Sequence, residues 1–135
     1  MAPTLSEEDQ RALQQFVISD EDALEGAVRH FKLRGQLKHD FLSAFTALID
    51  REFEQGRFRI LLGFHKVESI LSSHLGILWQ RCQISRQNGG DIKVCELSDT
   101  LHEAFTRVGF HRLISIQDDA QSALNLFQKE ISAQE

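Results

Sequence analysis

Apolar residues along this chain follow two rhythms in turn: short unbroken or alternating runs, and longer stretches in which they recur every three or four positions. Gln15 to Ser19 (QFVIS) and Val28 to Leu33 (VRHFKL) are short β-like runs. The polar, acidic segment with Gly26 between them suggests a hairpin, although Asp22, Ala23, Leu24 and Glu25 also suit a helical turn. Gly35 breaks the second run. From Asp40 to Gln55, Phe41, Phe45, Leu48, Ile49 and Phe53 share one face of an amphipathic helix that Gly56 ends. Phe58 to Phe64 (FRILLGF) is almost continuously apolar, as a strand buried on both faces must be, and is expected in the middle of the sheet.

A loop over Lys66 to Ser72 leads into a helix whose inner face is Leu75, Leu78, Trp79 and Cys82, with Asn88-Gly89-Gly90 at its end. Asp91 to Leu97 (DIKVCEL) is the next strand. Ser98 suits the N-cap of a short helix with Leu101, Ala104, Phe105 and Val108 inward and Gly109 as its stop. Leu113 to Ile116 is the last strand. Asp118 with Gln121 forms an acidic variant of the capping box for a final helix striped by Ala120, Leu124, Phe127 and Ile131. Strands alternating with helices of this length predict an α/β fold: one domain with a central, mostly parallel mixed sheet and about four amphipathic helices packed on it. Residues 1 to about 12 are polar and read as a loose tail or a frayed helix, so the domain is expected over residues 14–135 after a tail at 1–13.

Composition narrows the classes. With 135 residues and 41% hydrophobic side chains, the chain fills one compact core, and its only proline, Pro3, marks no linker. A net charge of −5, with no Lys/Arg cluster interleaved with aromatics, argues against a nucleic-acid partner. The longest apolar runs fall far short of the roughly 20 residues of a membrane helix, and the acidic start (Glu7, Glu8, Asp9) lacks a signal peptide's pattern. A cytoplasmic location is expected. Cys82 and Cys95 are not spaced as CxxC and read as reduced packing residues. The histidines at 30, 39, 65, 74, 102 and 111 show no HxH or HExxH spacing, so neither a metal nor a cofactor is expected.

Binding surfaces in such folds gather where strands lead into helices, because helix N-termini offer unpaired N–H groups and positive partial charge. Val67 to Gly76 (VESILSSHLG) is that place here. Its two serines have two readings: Ser72 or Ser73 caps the helix, or one of them is a functional serine. A hydrolase reading of Ser72, Ser73 and His74 lacks a Gly-x-Ser-x-Gly elbow, and adjacent residues rarely meet in triad geometry. No nucleophile, base and oxyanion donor are legible together, so the chain is expected not to be an enzyme.

Several phrases, in order, resemble the STAS domains of anti-sigma factor antagonists. Val67, Ile70, Ser72, Ser73, Leu75 and Gly76 match most of V-x-x-I-D-S-S-G-L-G, and Gly89-Gly90, Val94 and Ser98 follow at the family's spacing. Leu33-Arg34-Gly35-Gln36-Leu37 is similar to its L-x-G-x-L-D turn, and Phe105 to Leu113 to its helix-Gly-Leu passage. The resemblance implies a protein-binding module whose partner is an anti-sigma factor that is also an ATP-dependent serine kinase. It further implies that phosphorylation of the serine aligned with Ser73 ends the binding. The implied partner surface is Lys38, His39, Leu71, Ser72, Ser73 and His74, with the exposed side of the following helix. Leu71, His74 and Lys38 stand where the family has Asp, Gly and Asp. They leave open a second expectation, a constitutive STAS scaffold or transporter-associated subunit whose serines only cap the helix.

Overall fold

The computed structural model describes residues 5–135, with the side chains of His39 and Asp40 outside the described set. In chain order the elements are α1 (Glu7–Phe16), β1 (Val17–Ala23), β2 (Val28–Leu37), α2 (His39–Glu54), β3 (Arg59–Ile70), α3 (Ser72–Gln87), β4 (Asp91–Cys95), α4 (Asp99–Arg107), a 3-10 turn (Phe110–Arg112), β5 (Ser115–Gln117) and α5 (Ala120–Gln134). The five strands lie in the order β1-β2-β3-β4-β5. β1 and β2 form the antiparallel hairpin, and the remaining neighbours are parallel. β3 is therefore the middle strand, as its apolar run requires. None of the helices among the described residues is long and apolar enough to cross a membrane.

The pleat divides the sheet into two unequal faces. Ile60, Leu62 and Phe64 of β3, Ile92 and Val94 of β4, and Phe31 and Leu33 of β2 join one core under α1 to α4. Val28, Leu61 and Cys95 face the other way and pack under α5, against Ala123 and Phe127. α5 is also held by charge. Lys93 Nζ, buried in β4, lies 2.8 Å from Asp91 Oδ2 and 2.8 Å from Glu130 Oε1, and 4.8 Å from the Phe127 ring centroid.

Several boundaries differ from the sequence expectation. Of the two readings of the N-terminal segment, a loose tail or a frayed helix, the structure has a helix from Glu7 on, α1. Ser6 caps it, accepting from the Asp9 N–H at 3.0 Å, and Leu13 and Phe16, three residues apart on one face, are buried against the core. The first strand accordingly begins at Val17. β3 continues through the expected loop to Ile70, because Lys66, Val67, Ser69 and Ile70 find backbone partners on the long β2. Val108 is 49% exposed and not inward. The last strand begins only at Ser115, after the 3-10 turn, and α5 is capped by Asp119, whose carboxylate accepts from the Ser122 N–H at 2.7 Å, in place of Asp118.

Two glycines are dictated by geometry. A Cβ at Gly90 would collide with the Phe58 carbonyl, where the α3–β4 turn passes β3. Gly35 sits in β2 at φ +84°, and the Phe16 ring of α1 would lie 3.6 Å from any Cβ built there.

Candidate functional site at the carboxyl edge of the parallel strands

β2 and β3 are neighbours in parallel register, with Gln36 opposite Ser69 and Leu37 opposite Ile70. Their carboxyl ends therefore deliver two helix N-termini to the same edge: α2 after Lys38 and α3 after Leu71. Both junction residues are extended, and neither makes a side-chain cap hydrogen bond. The turn into α3 closes through backbone alone, the His74 and Leu75 N–H groups donating to the Leu71 carbonyl at 3.0 and 3.3 Å.

This geometry rejects the capping role for the serine pair. Leu71 occupies the N-cap position, and Ser72 and Ser73 are already the first two residues of the helix. Ser72 is exposed and Ser73 half-buried. Because the N-cap side chain, Leu71, makes no cap hydrogen bond, the first-turn N–H groups and the positive end of the helix dipole stand where an added anion on either hydroxyl would be stabilised.

His74, expected on the partner surface, is buried completely. It heads the inner stripe of α3, which continues through Leu78 and Cys82 to Ser85. Its ring stacks on Phe41 at 6.1 Å between centroids and meets Phe45 edge-on at 5.7 Å. The imidazole therefore packs beneath the serine turn and does not contribute to its surface. Lys38 is exposed and Leu71 half-buried, so both remain at the edge with the serines. The side chain of His39 lies outside the described residues. Among the described residues no three His, Cys, Asp or Glu side chains gather as metal ligands.

The sequence reading left α1 out of this region, yet the structure brings its end to it. The Arg34 Nε donates to the Gln15 carbonyl at 2.8 Å, and Phe16 lies over Gly35. The signal was present in the Leu13/Phe16 spacing and in a capping serine at Ser6, but it spans only ten residues and two buried positions.

A five-stranded mixed sheet with helices on both faces and a serine-bearing helix N-terminus at its carboxyl edge defines a single mixed α/β domain. Residues 23–123 match the STAS domain family, and the chain belongs to that family. Over 94 residues, 69% of this chain and 80% of the relative, it is 24% identical to the anti-sigma F factor antagonist of Paenibacillus polymyxa. A crystal structure of a Thermotoga maritima protein assigned as an anti-sigma factor antagonist aligns with a TM-score of 0.76 at 18% identity, covering 87% of this chain and 98% of that one. The phosphorylated form of the Bacillus cell fate determinant SpoIIAA aligns at 0.61 and 18% identity, over 79% and 97% of the two chains. At these identities the two structures establish a shared fold.

Proposed function

We propose that this STAS domain is a partner-switching module that binds an anti-sigma factor acting as an ATP-dependent serine kinase, and that phosphorylation of Ser73 ends the binding. The observation that carries this reading is the position of Ser73: second residue of α3, half-buried, and without a capping task. A phosphoserine adds about −1.5 to −2 charges and three acceptor oxygens. Within the free domain the α3 N-terminus accommodates that charge, worth about 0.3–1 kcal/mol for an anion in the first turn. At a docked interface the same charge must be desolvated, which opposes binding. The domain works by binding and performs no chemistry itself. The kinase supplies the γ-phosphoryl group of ATP: its P–O bond to the β-phosphate breaks and ADP leaves, while the Ser73 Oγ forms the new phosphate ester and gives up its proton to a base on the kinase.

The test is a capture experiment with wild-type, Ser73→Ala and Ser73→Asp domains as baits, the captured proteins and the phosphate on the bait both read by mass spectrometry. The reading expects an ATP-binding serine kinase on the wild-type and Ser73→Ala baits, its loss from Ser73→Asp, and phosphate on Ser73. Equal capture of one partner by all three baits, with unmodified serines, overturns the switch and identifies a constitutive scaffold or transporter-associated subunit.

A further inference from the structure

Between the end of α1 and the start of α2 lies a cleft of about 510 Å³, lined by Gln15, Phe16, Arg34, Gly35, Gln36 and Lys38. Among the described lining residues two are cations and none is an acid. Lys38 is exposed and forms no ion pair among the described residues. Arg34 is anchored through its Nε and Nη2 to the carbonyls of Gln15 and Gln14, at 2.8 and 3.4 Å, so its charge stays fixed beside the cleft. The Gln36 side-chain amide donates to Glu68 Oε2 at 3.5 Å. Phe16 and the bare backbone of Gly35 give the cleft an apolar wall.

We propose that this cleft receives an acidic, partly apolar segment of the partner protein, with Lys38 as the charge that reads it. The inference rests on the partner-binding role given to the serine edge and adds to it the chemistry of the partner. Position supports it: Gln36 and Leu37 pair with Ser69 and Ile70, so a protein docked over Ser73 extends across one strand to Lys38. Charge supports it as well. The whole chain carries −5, so a cationic cleft on it selects an acidic segment that the rest of the surface repels. α1, which walls the cleft, thereby becomes part of the recognition surface.

The experiment is selection of a random dodecapeptide phage library on the intact domain. The selected peptides are then measured for affinity to wild type, Lys38→Arg and Lys38→Glu, and titrated into the 15N-labelled domain. The proposal expects peptides with Asp or Glu beside an apolar residue, at least ten-fold weaker binding to Lys38→Glu, near-wild-type binding to Lys38→Arg, and amide shifts centred on Gly35, Gln36 and Lys38. Absence of any enriched peptide, enrichment without acidic residues, equal affinity for Lys38→Glu, or shifts centred elsewhere overturns it. The Ser73 baits report on the switch separately. Neutral peptides with a working switch remove the cleft alone, and acidic peptides with no switch leave the cleft and remove the kinase.

Discussion

The ring of His74 stacks on that of Phe41 at an interplanar angle of 28°, so the residue that follows Ser73 in sequence is a buried imidazole packed in the core behind the serine turn. Phe41 in turn lies 4.3 Å from Phe16, ring centroid to centroid. Three helices thus meet through aromatic rings behind the serine turn, and the edge that carries the serines rests on a packed support.

Restoring the family's glycine at this position tests that support. His74→Gly deletes a fully buried ring and adds a glycine to the first turn of a helix, which is expected to destabilise the fold by about 3 kcal/mol. Urea denaturation should show a lower midpoint at an unchanged slope. His74→Phe, which keeps a ring between Phe41 and Phe45, should lose less stability than His74→Gly. Equal loss in both variants would mean that the ring stack is not the source of the effect.

Glu52 provides an electrostatic test. Its carboxylate, 1% exposed, accepts from Arg29 Nε at 2.9 Å and from Arg57 Nε at 2.8 Å, while Arg29 also reaches the exposed Asp20 and Asp22 at 2.8 and 2.9 Å. Burial works against the Arg29 charge, but these carboxylates more than offset it and hold its pKa above the ordinary value. Glu52→Ala removes the buried carboxylate shared by Arg29 and Arg57, leaving Arg29 only its two exposed partners, and is expected to cost about 2 kcal/mol. Asp22→Ala removes a solvent-screened partner and should cost under about 1 kcal/mol. Thermal or urea unfolding of the two variants checks the order.

Stability should also depend on His30. Burial holds this imidazole's pKa below the ordinary 6.5, against the pull of Glu21, with Lys32 lowering it further and Glu96 raising it. The unfolded chain therefore takes up the proton at a higher pH than the folded chain. The stability contributed by neutral His30 is complete well above pH 6.5 and declines as the pH falls through 6.5 toward the folded pKa. Urea midpoints measured from pH 8 to 5 should fall more steeply for wild type than for His30→Gln.

The two thiols should be silent in the native state. Burial, reinforced by Asp91, raises Cys82 to about 11, and burial, reinforced by Glu96, raises Cys95 to about 12. At pH 8 the thiolate fraction of even Cys82 is then about one in a thousand. A thiol reagent should label neither cysteine in the folded protein and both in urea. Rapid native labelling of Cys95 would show that the β4 face opens under α5.

Much of the architecture was legible in advance because its signals are local. The run Ile60 to Phe64 announces a strand buried on both faces, and the spacing of Phe41, Phe45, Leu48 and Ile49 announces the inner face of α2. Ser98 was legible as a cap for the same reason, since its acceptor role reaches only to the Leu101 N–H at 3.2 Å. The misreadings involve partners distant in sequence. β3 runs on to Ile70 because β2 is long enough to pair with it, and α1 is a stable helix because Phe16 finds Phe41 and Gly35.

The site divides along the same line. By itself the sequence determined the family phrases, the serine pair after the central strand, and the net acidity of the chain. Tertiary structure alone decided that the serines are helical residues and not caps, that His74 lies in the core while Lys38 lies on the edge, and that α1 walls a cationic cleft beside them. The physical reason is that spacing along one chain specifies which residues share a face of an element. Which face is covered, and by what, depends on the elements packed against it, and those come from elsewhere in the chain.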